Sequence, residues 1–253
     1  MALSFIIALL LALLVGISLG VLGGGGSILT VPILTYVLGM EPKEAIAASL
    51  LIVGVTSLVG SVPHARAGRV RWQVGLIFGA AGMVGAFTGG VVGGFIPGVV
   101  LMILFALMMV ATAVAMLIGR RSVPAGNGFA LPKIILDGLA VGVATGLVGA
   151  GGGFLVVPAL NLLGGLTMVV AVGTSLIVIA MKSFAGLSGY LFSVQLQWPV
   201  VLAFTAVAVV GSFIGSAISS RLPEAALRKG FGIFVLVMGV FVLLQEIPAL
   251  LST

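Results

Sequence analysis

Cysteine is absent from this 253-residue chain, and charge is nearly so: eleven Lys and Arg, five Asp and Glu, and a single His. Without cysteine there is no disulfide, no thiolate metal ligand and no mechanism that hands sulfur to a thiol. One histidine, His64, cannot build a histidine metal site alone, so no metal and no cofactor is expected. A nucleophile beside its base, a pair of carboxylates within a hydrophobic segment, and a phosphate-binding loop between strand and helix are also missing. An enzyme is therefore not expected.

The composition that remains is apolar. Hydrophobic residues make up 61% of the chain, charged residues 6%, and the mean hydropathy is +1.43. Too few polar side chains exist to cover a water-soluble globule, which predicts an all-α integral membrane protein with the lipid bilayer as its solvent. The net charge of +6 comes from a few basic residues between apolar runs. That placement speaks of membrane topology and against nucleic-acid binding.

A repeat organises the chain. VGISLGVLGGGGSILTVP at residues 15 to 32 returns as VGVATGLVGAGGGFLVVP at residues 141 to 158, an offset of 126. The register then continues without a gap: Ser49 meets Ser175, Ser57 meets Ser183, Trp72 meets Trp198, Gly85 meets Gly211 and Pro97 meets Pro223. Residues 1–120 are expected to form a first transmembrane repeat, 121–132 a cytoplasmic linker and 133–253 a second transmembrane repeat, together one domain.

Apolar segments A to E lie at about 3–22, 27–39, 44–63, 72–94 and 97–118, and A′ to E′ at about 133–148, 153–164, 167–190, 198–219 and 224–246. A span needs roughly 17 to 25 residues. C, D, E and their mates reach that length; B and B′ do not, so A-B and A′-B′ are read as broken or re-entrant pairs with glycine tips. Segment A lacks the basic leader and cleavage site of a signal peptide and is read as a retained helix. Arg66, Arg69 and Arg71 follow C, Arg120, Arg121 and Lys133 join the halves, and Arg221, Arg228 and Lys229 separate D′ from E′. The positive-inside rule makes that side cytoplasmic. Because the basic loop follows C in one half and D′ in the other, the halves are expected to be inverted-topology repeats of odd crossing number, with both termini extracytoplasmic in the cytoplasmic (inner) membrane.

The glycine clusters are the first site candidates. Four glycines in a row hold a lipid-facing helix poorly, and unwound backbone at membrane depth must lie inside protein or beside a polar cavity. A helix starting there aims free N–H groups at that place. Gly25, Gly26 and Ser27, with Gly151, Gly152 and Gly153, are therefore candidates for a paired anion cradle near the midplane; scattered glycines such as Gly82, Gly85 and Gly89 are read as helix-packing contacts. Ser49 and Ser175 are candidate hydroxyl contacts, although membrane serines also bond their own helices. Lys182 stands well inside a predicted span, at a cost of roughly 2.5 to 3.5 kcal/mol if charged and central. It either compensates a bound anion or snorkels toward the interface near Tyr190. His64, beside the basic loop, is a coupling or gating residue or simply interfacial.

These residues resemble a known family. GVLGGGGSILTVPIL and GLVGAGGGFLVVPAL, the ASL and TSL triplets that follow, and the paired tryptophan starts of D and D′ are similar to the TauE/SafE family of sulfite and organosulfonate exporters, across nearly the whole chain. The resemblance implies a transporter whose partner is a small sulfur-containing anion: sulfite, sulfoacetate or a related sulfonate. A passive anion channel, an uptake transporter on the same scaffold, or a membrane subunit of an enzyme complex are the alternatives.

Overall fold

The computed structural model describes residues 2–23, 27–118, 131–148, 153–163, 165–219 and 223–251. Every described element is helical. The first half contains α1 (Ala2–Leu22), α2 (Ser27–Pro32) continued by a π turn (Ile33–Val37), α3 (Pro42–Arg66), α4 (Trp72–Phe95) and α5 (Gly98–Ile118). The second contains α6 (Leu131–Val148), α7 (Gly153–Pro158) with its own π turn (Ala159–Leu163), α8 (Met168–Tyr190), α9 (Trp198–Ser219) and α10 (Glu224–Leu251). Among the described residues, α3, α4, α5, α8, α9 and most of α10 are six helices long and apolar enough to cross a membrane. Large side chains stand exposed on their outer faces, Val84, Leu107, Val237 and Leu244 among them. Such a belt suits lipid and not water.

The π turns follow from proline. Pro32 has no N–H to give the carbonyl four residues back, and its ring crowds that turn, so the helix widens beyond it. Leu38 N–H reaches Ile33 O at 3.2 Å, five residues back, and Met40 N–H reaches Leu34 O at 3.0 Å. In the second half Leu166 N–H meets Leu160 O at 3.1 Å, the same bond one repeat later. Both wide ends close on a glycine with positive φ, Gly39 at 70° and Gly165 at 61°, a conformation that costs other residues energy.

Packing repeats with the sequence. α4 packs on α6 as α9 packs on α1; α4 packs on α8 as α9 packs on α3; α3 meets its own mate α8, and α5 meets α10. Glycine makes the tightest of these possible. A Cβ at Gly89 would lie 2.5 Å from Val143 O, and one at Gly85 would strike Leu139 O. α4 and α6 run in the same direction, since Gly85 lies against Leu139 and Gly89 against Val143. Likewise Gly16 lies against Ala208 and Gly20 against Ser212, so α1 and α9 are parallel.

Mate helices, by contrast, run opposite ways. Gly186 lies against Leu50, Gly54 against Ser183 and Gly173 against His64, so α3 and α8 cross antiparallel. With the offset of 126, this contact register puts the crossing beside Thr56 and Lys182. α5 and α10 are antiparallel too, with Leu117 against Gly232 and Val110 against Gly239. At one end of the bundle Arg71 N–H donates to Thr174 Oγ1 at 3.0 Å, and the basic loop covers the start of α8. At the other end Lys43 Nζ donates to Gly94 O at 2.7 Å, joining the start of α3 to the end of α4.

Candidate functional site

α1 stops at Leu22, and Gly23 turns the chain with φ 70°. The turn lies inside the protein. A Cβ at Gly23 would sit 2.9 Å from Ser175 Oγ and 3.1 Å from the Val172 Cα, so the first glycine run starts against α8 of the other half. Ser175 lies seven residues along α8, about 10 Å from its start at Met168. Its hydroxyl donates to Val172 O at 2.8 Å and keeps an acceptor face toward Gly23. Ser27 opens α2 and is buried, as are Gly153 at the start of α7 and Ser49 on α3. Gly25, Gly26, Gly151 and Gly152 lie outside the described residues. α2 and α7 touch each other, so the segments that emerge from the two glycine runs do converge.

Lys182 is 1% exposed. Its amine does not reach the protein surface. Instead Nζ donates to Thr145 Oγ1 on α6 at 3.1 Å, and Thr145 passes its own proton to Gly142 O at 3.1 Å. The stem crosses α4 at Gly82, where an added Cβ would lie 2.5 Å from Lys182 Cδ and 3.0 Å from Cγ. Thr145 stands three residues before the last residue of α6, Val148. The amine is thus held within a turn of the end of α6. Ser175 and Lys182, seven residues apart on α8, nonetheless meet different partners: Ser175 meets the end of α1, and Lys182 meets α4 and α6.

His64 is 1% exposed and packs beside Gly173 at the basic end, its ring directed toward the Gly20 carbonyl near the end of α1. Neither ring nitrogen completes a hydrogen bond. Its mate across the repeat is Tyr190, whose Oη donates to Leu147 O near the end of α6 and fills the space left by Gly93. Each broken helix end, with carbonyls that lack a helical donor, therefore has one buried ring against it. This equivalence was readable from the offset alone. Thr145 and Gly82 were not, because a hydroxyl and a glycine on apolar helices carry no sign of which side chain they meet.

Thr56, Ser57 and Ser183, all buried where α3 crosses α8, have hydroxyls with no hydrogen-bond partner among the described residues. Glu246, placed at the end of E′ by its sequence, is 6% exposed and accepts a 2.7 Å bond from Tyr36 Oη on the first π turn. No group of three or more His, Cys, Asp or Glu that could hold a metal occurs among the described residues.

Six helices long and apolar enough to cross a membrane, among the described residues, define a multi-pass membrane protein. The comparisons specify it further. The sequence profile described as Sulfite exporter TauE/SafE matches residues 8–242, and the chain belongs to that family. It is 32% identical over 247 residues to a probable membrane transporter protein of Xylella fastidiosa strain Temecula1, covering 94% of this chain and 95% of that one. It is 26% identical over 241 residues to the probable membrane transporter protein YdhB of Bacillus subtilis, covering 93% and 98%. A probable membrane transporter protein of Methanocaldococcus jannaschii is 28% identical over 261 residues, covering 95% and 97%. No solved structure matches the chain significantly.

Proposed function

We propose that this protein exports a small sulfur-containing anion, sulfite or an organosulfonate, across the cytoplasmic membrane by alternating access. The observation that carries the reading is Lys182: a formal cation, buried mid-helix, whose one hydrogen-bond partner among the described residues is the neutral Thr145 hydroxyl. A buried charge without a counter-charge is costly, and a bound anion removes that cost. Its position near the end of α6 supports a site in which the backbone N–H groups of Gly25, Gly26, Ser27, Gly151, Gly152 and Gly153 add donors, Ser49 and Ser175 add hydroxyls, and His64 couples or gates. The sulfur chemistry of the substrate rests on the family.

The two halves, residues 1–120 and 133–253, act in this proposal as inverted repeats joined by a cytoplasmic linker at 121–132, with both termini outside. Antiparallel packing of α3 on α8 and of α5 on α10 supports it, because an axis in the membrane plane reverses each helix relative to its mate. Rocking about the α3–α8 crossing would open Lys182 to one side and then the other. Lys182→Met retains the apolar stem and loses the charge. Removing one charged hydrogen bond costs about 1.5 to 3 kcal/mol, a loss of affinity of roughly ten- to a hundredfold. Calorimetry on monodisperse protein with sulfite or isethionate measures it; unchanged affinity would remove Lys182 from the site.

A further inference from the structure

The two halves are alike in fold and unlike in charge. At the mate of Lys182 stands Thr56, and at the mate of Tyr190 stands His64. Beside the end of α6 lies a buried ammonium; the corresponding place in the first half has a buried hydroxyl without a partner among the described residues. Lys182 is the one Lys or Arg that is buried among the described residues. Among the described side chains, its surroundings add no second cation. α4 has no titratable side chain, α6 presents Asp137 two turns below Thr145, and α3 crosses with Thr56 and Ser57. Nor does Thr145 give a proton to a ligand, since its hydroxyl is committed to Gly142 O.

From this asymmetry we infer that the protein binds one monoanion per chain, at Lys182, and selects against dianions. An ammonium has three N–H groups, of which Thr145 takes one. The other two fit two oxygens of one sulfonate or hydrogensulfite group. A monoanion and Lys182 together are neutral, whereas sulfate, sulfite dianion or sulfoacetate leaves a net negative charge where burial excludes water. The first half, with Thr56 in place of lysine, lacks the charge to hold a second anion.

This inference rests on the anion-site reading above and is tested apart from it. Isothermal titration of the full-length protein compares methanesulfonate and isethionate with sulfate and sulfoacetate, and follows sulfite below and above its second ionisation. The expected result is a stoichiometry of one, at least tenfold tighter binding of the monoanions, and sulfite affinity that falls as the dianion replaces hydrogensulfite. Lys182→Met should abolish the preference and weaken binding roughly ten- to a hundredfold, while Lys182→Arg retains part of both. Equal or tighter binding of the dianions, or two anions per chain, overturns the inference and leaves the anion site standing. Binding of none of these anions to folded parent protein overturns both.

Discussion

A single methyl group at Gly82 tests whether the lysine position matters. In Gly82→Ala the new carbon would sit 2.5 Å from Lys182 Cδ, 3.0 Å from Cγ and 3.3 Å from Gly138 O. Carbon atoms settle at about 3.5 to 4.0 Å, so the stem must retreat by roughly 1 Å or more. A shift of that size takes Nζ away from Thr145 Oγ1, now at 3.1 Å. Overpacking of this kind costs about 1 to 3 kcal/mol, or roughly five- to more than a hundredfold in anion affinity if the site bears it. Position 208, the mate of 82, already holds alanine, and the mate of Lys182 is Thr56. The assay is calorimetry with isethionate on Gly82→Ala, Lys182→Met and the double variant. Because both changes act on one ammonium, Gly82→Ala should add almost nothing in the Lys182→Met background. Parent-like affinity in Gly82→Ala, or two effects that add in full, would refute the reasoning.

Orientation has an equally direct check. Single cysteines at Arg66 and Lys229 should be shielded from an impermeant thiol reagent in intact cells, while those at Phe95 and Phe192 label; opposite locations for Arg66 and Lys229 would make the repeats parallel. Glycine packing is tested by Gly85→Val, which drives a branched side chain into the α6 backbone and should leave little monodisperse protein, whereas Gly230→Ala, with open space around it, behaves as parent. Tyr36→Phe removes the bond to the buried Glu246 carboxyl; losing a hydrogen bond to a buried polar group costs about 1 to 3 kcal/mol. The melting temperature of the detergent-solubilised variant should fall by several degrees, and no change would mean that water satisfies Glu246.

The helices were legible to within a few residues because hydrophobic length and turn residues govern them: D′ at 198–219 coincides with Trp198–Ser219, and D at 72–94 with Trp72–Phe95. The short B and B′ segments were also legible as short, yet their π turns were not, since widening after Pro32 and Pro158 depends on what the displaced carbonyls meet. Facing was harder. In lipid both the outer and the inner side of a helix are apolar, so the pattern that marks a core in a soluble helix does not show that Gly82 faces Lys182 while Val84 faces outward. Lys182 stood out by charge alone, but its direction depends on Thr145, a residue 37 positions away. Gly89 had been expected to pack helices, and its approach to Val143 O bears that out. Glu246 escaped notice because an acid at the end of an apolar segment looks solvated until Tyr36 is seen to cover it.

Counterflow into proteoliposomes addresses the central claim most directly. Vesicles are loaded with unlabelled isethionate or sulfite and diluted into a trace of the labelled anion. The account expects transient accumulation of label with the parent protein, none with Lys182→Met and none in protein-free vesicles. No counterflow of any sulfur anion by the parent protein, or parent-like counterflow by Lys182→Met, would contradict it.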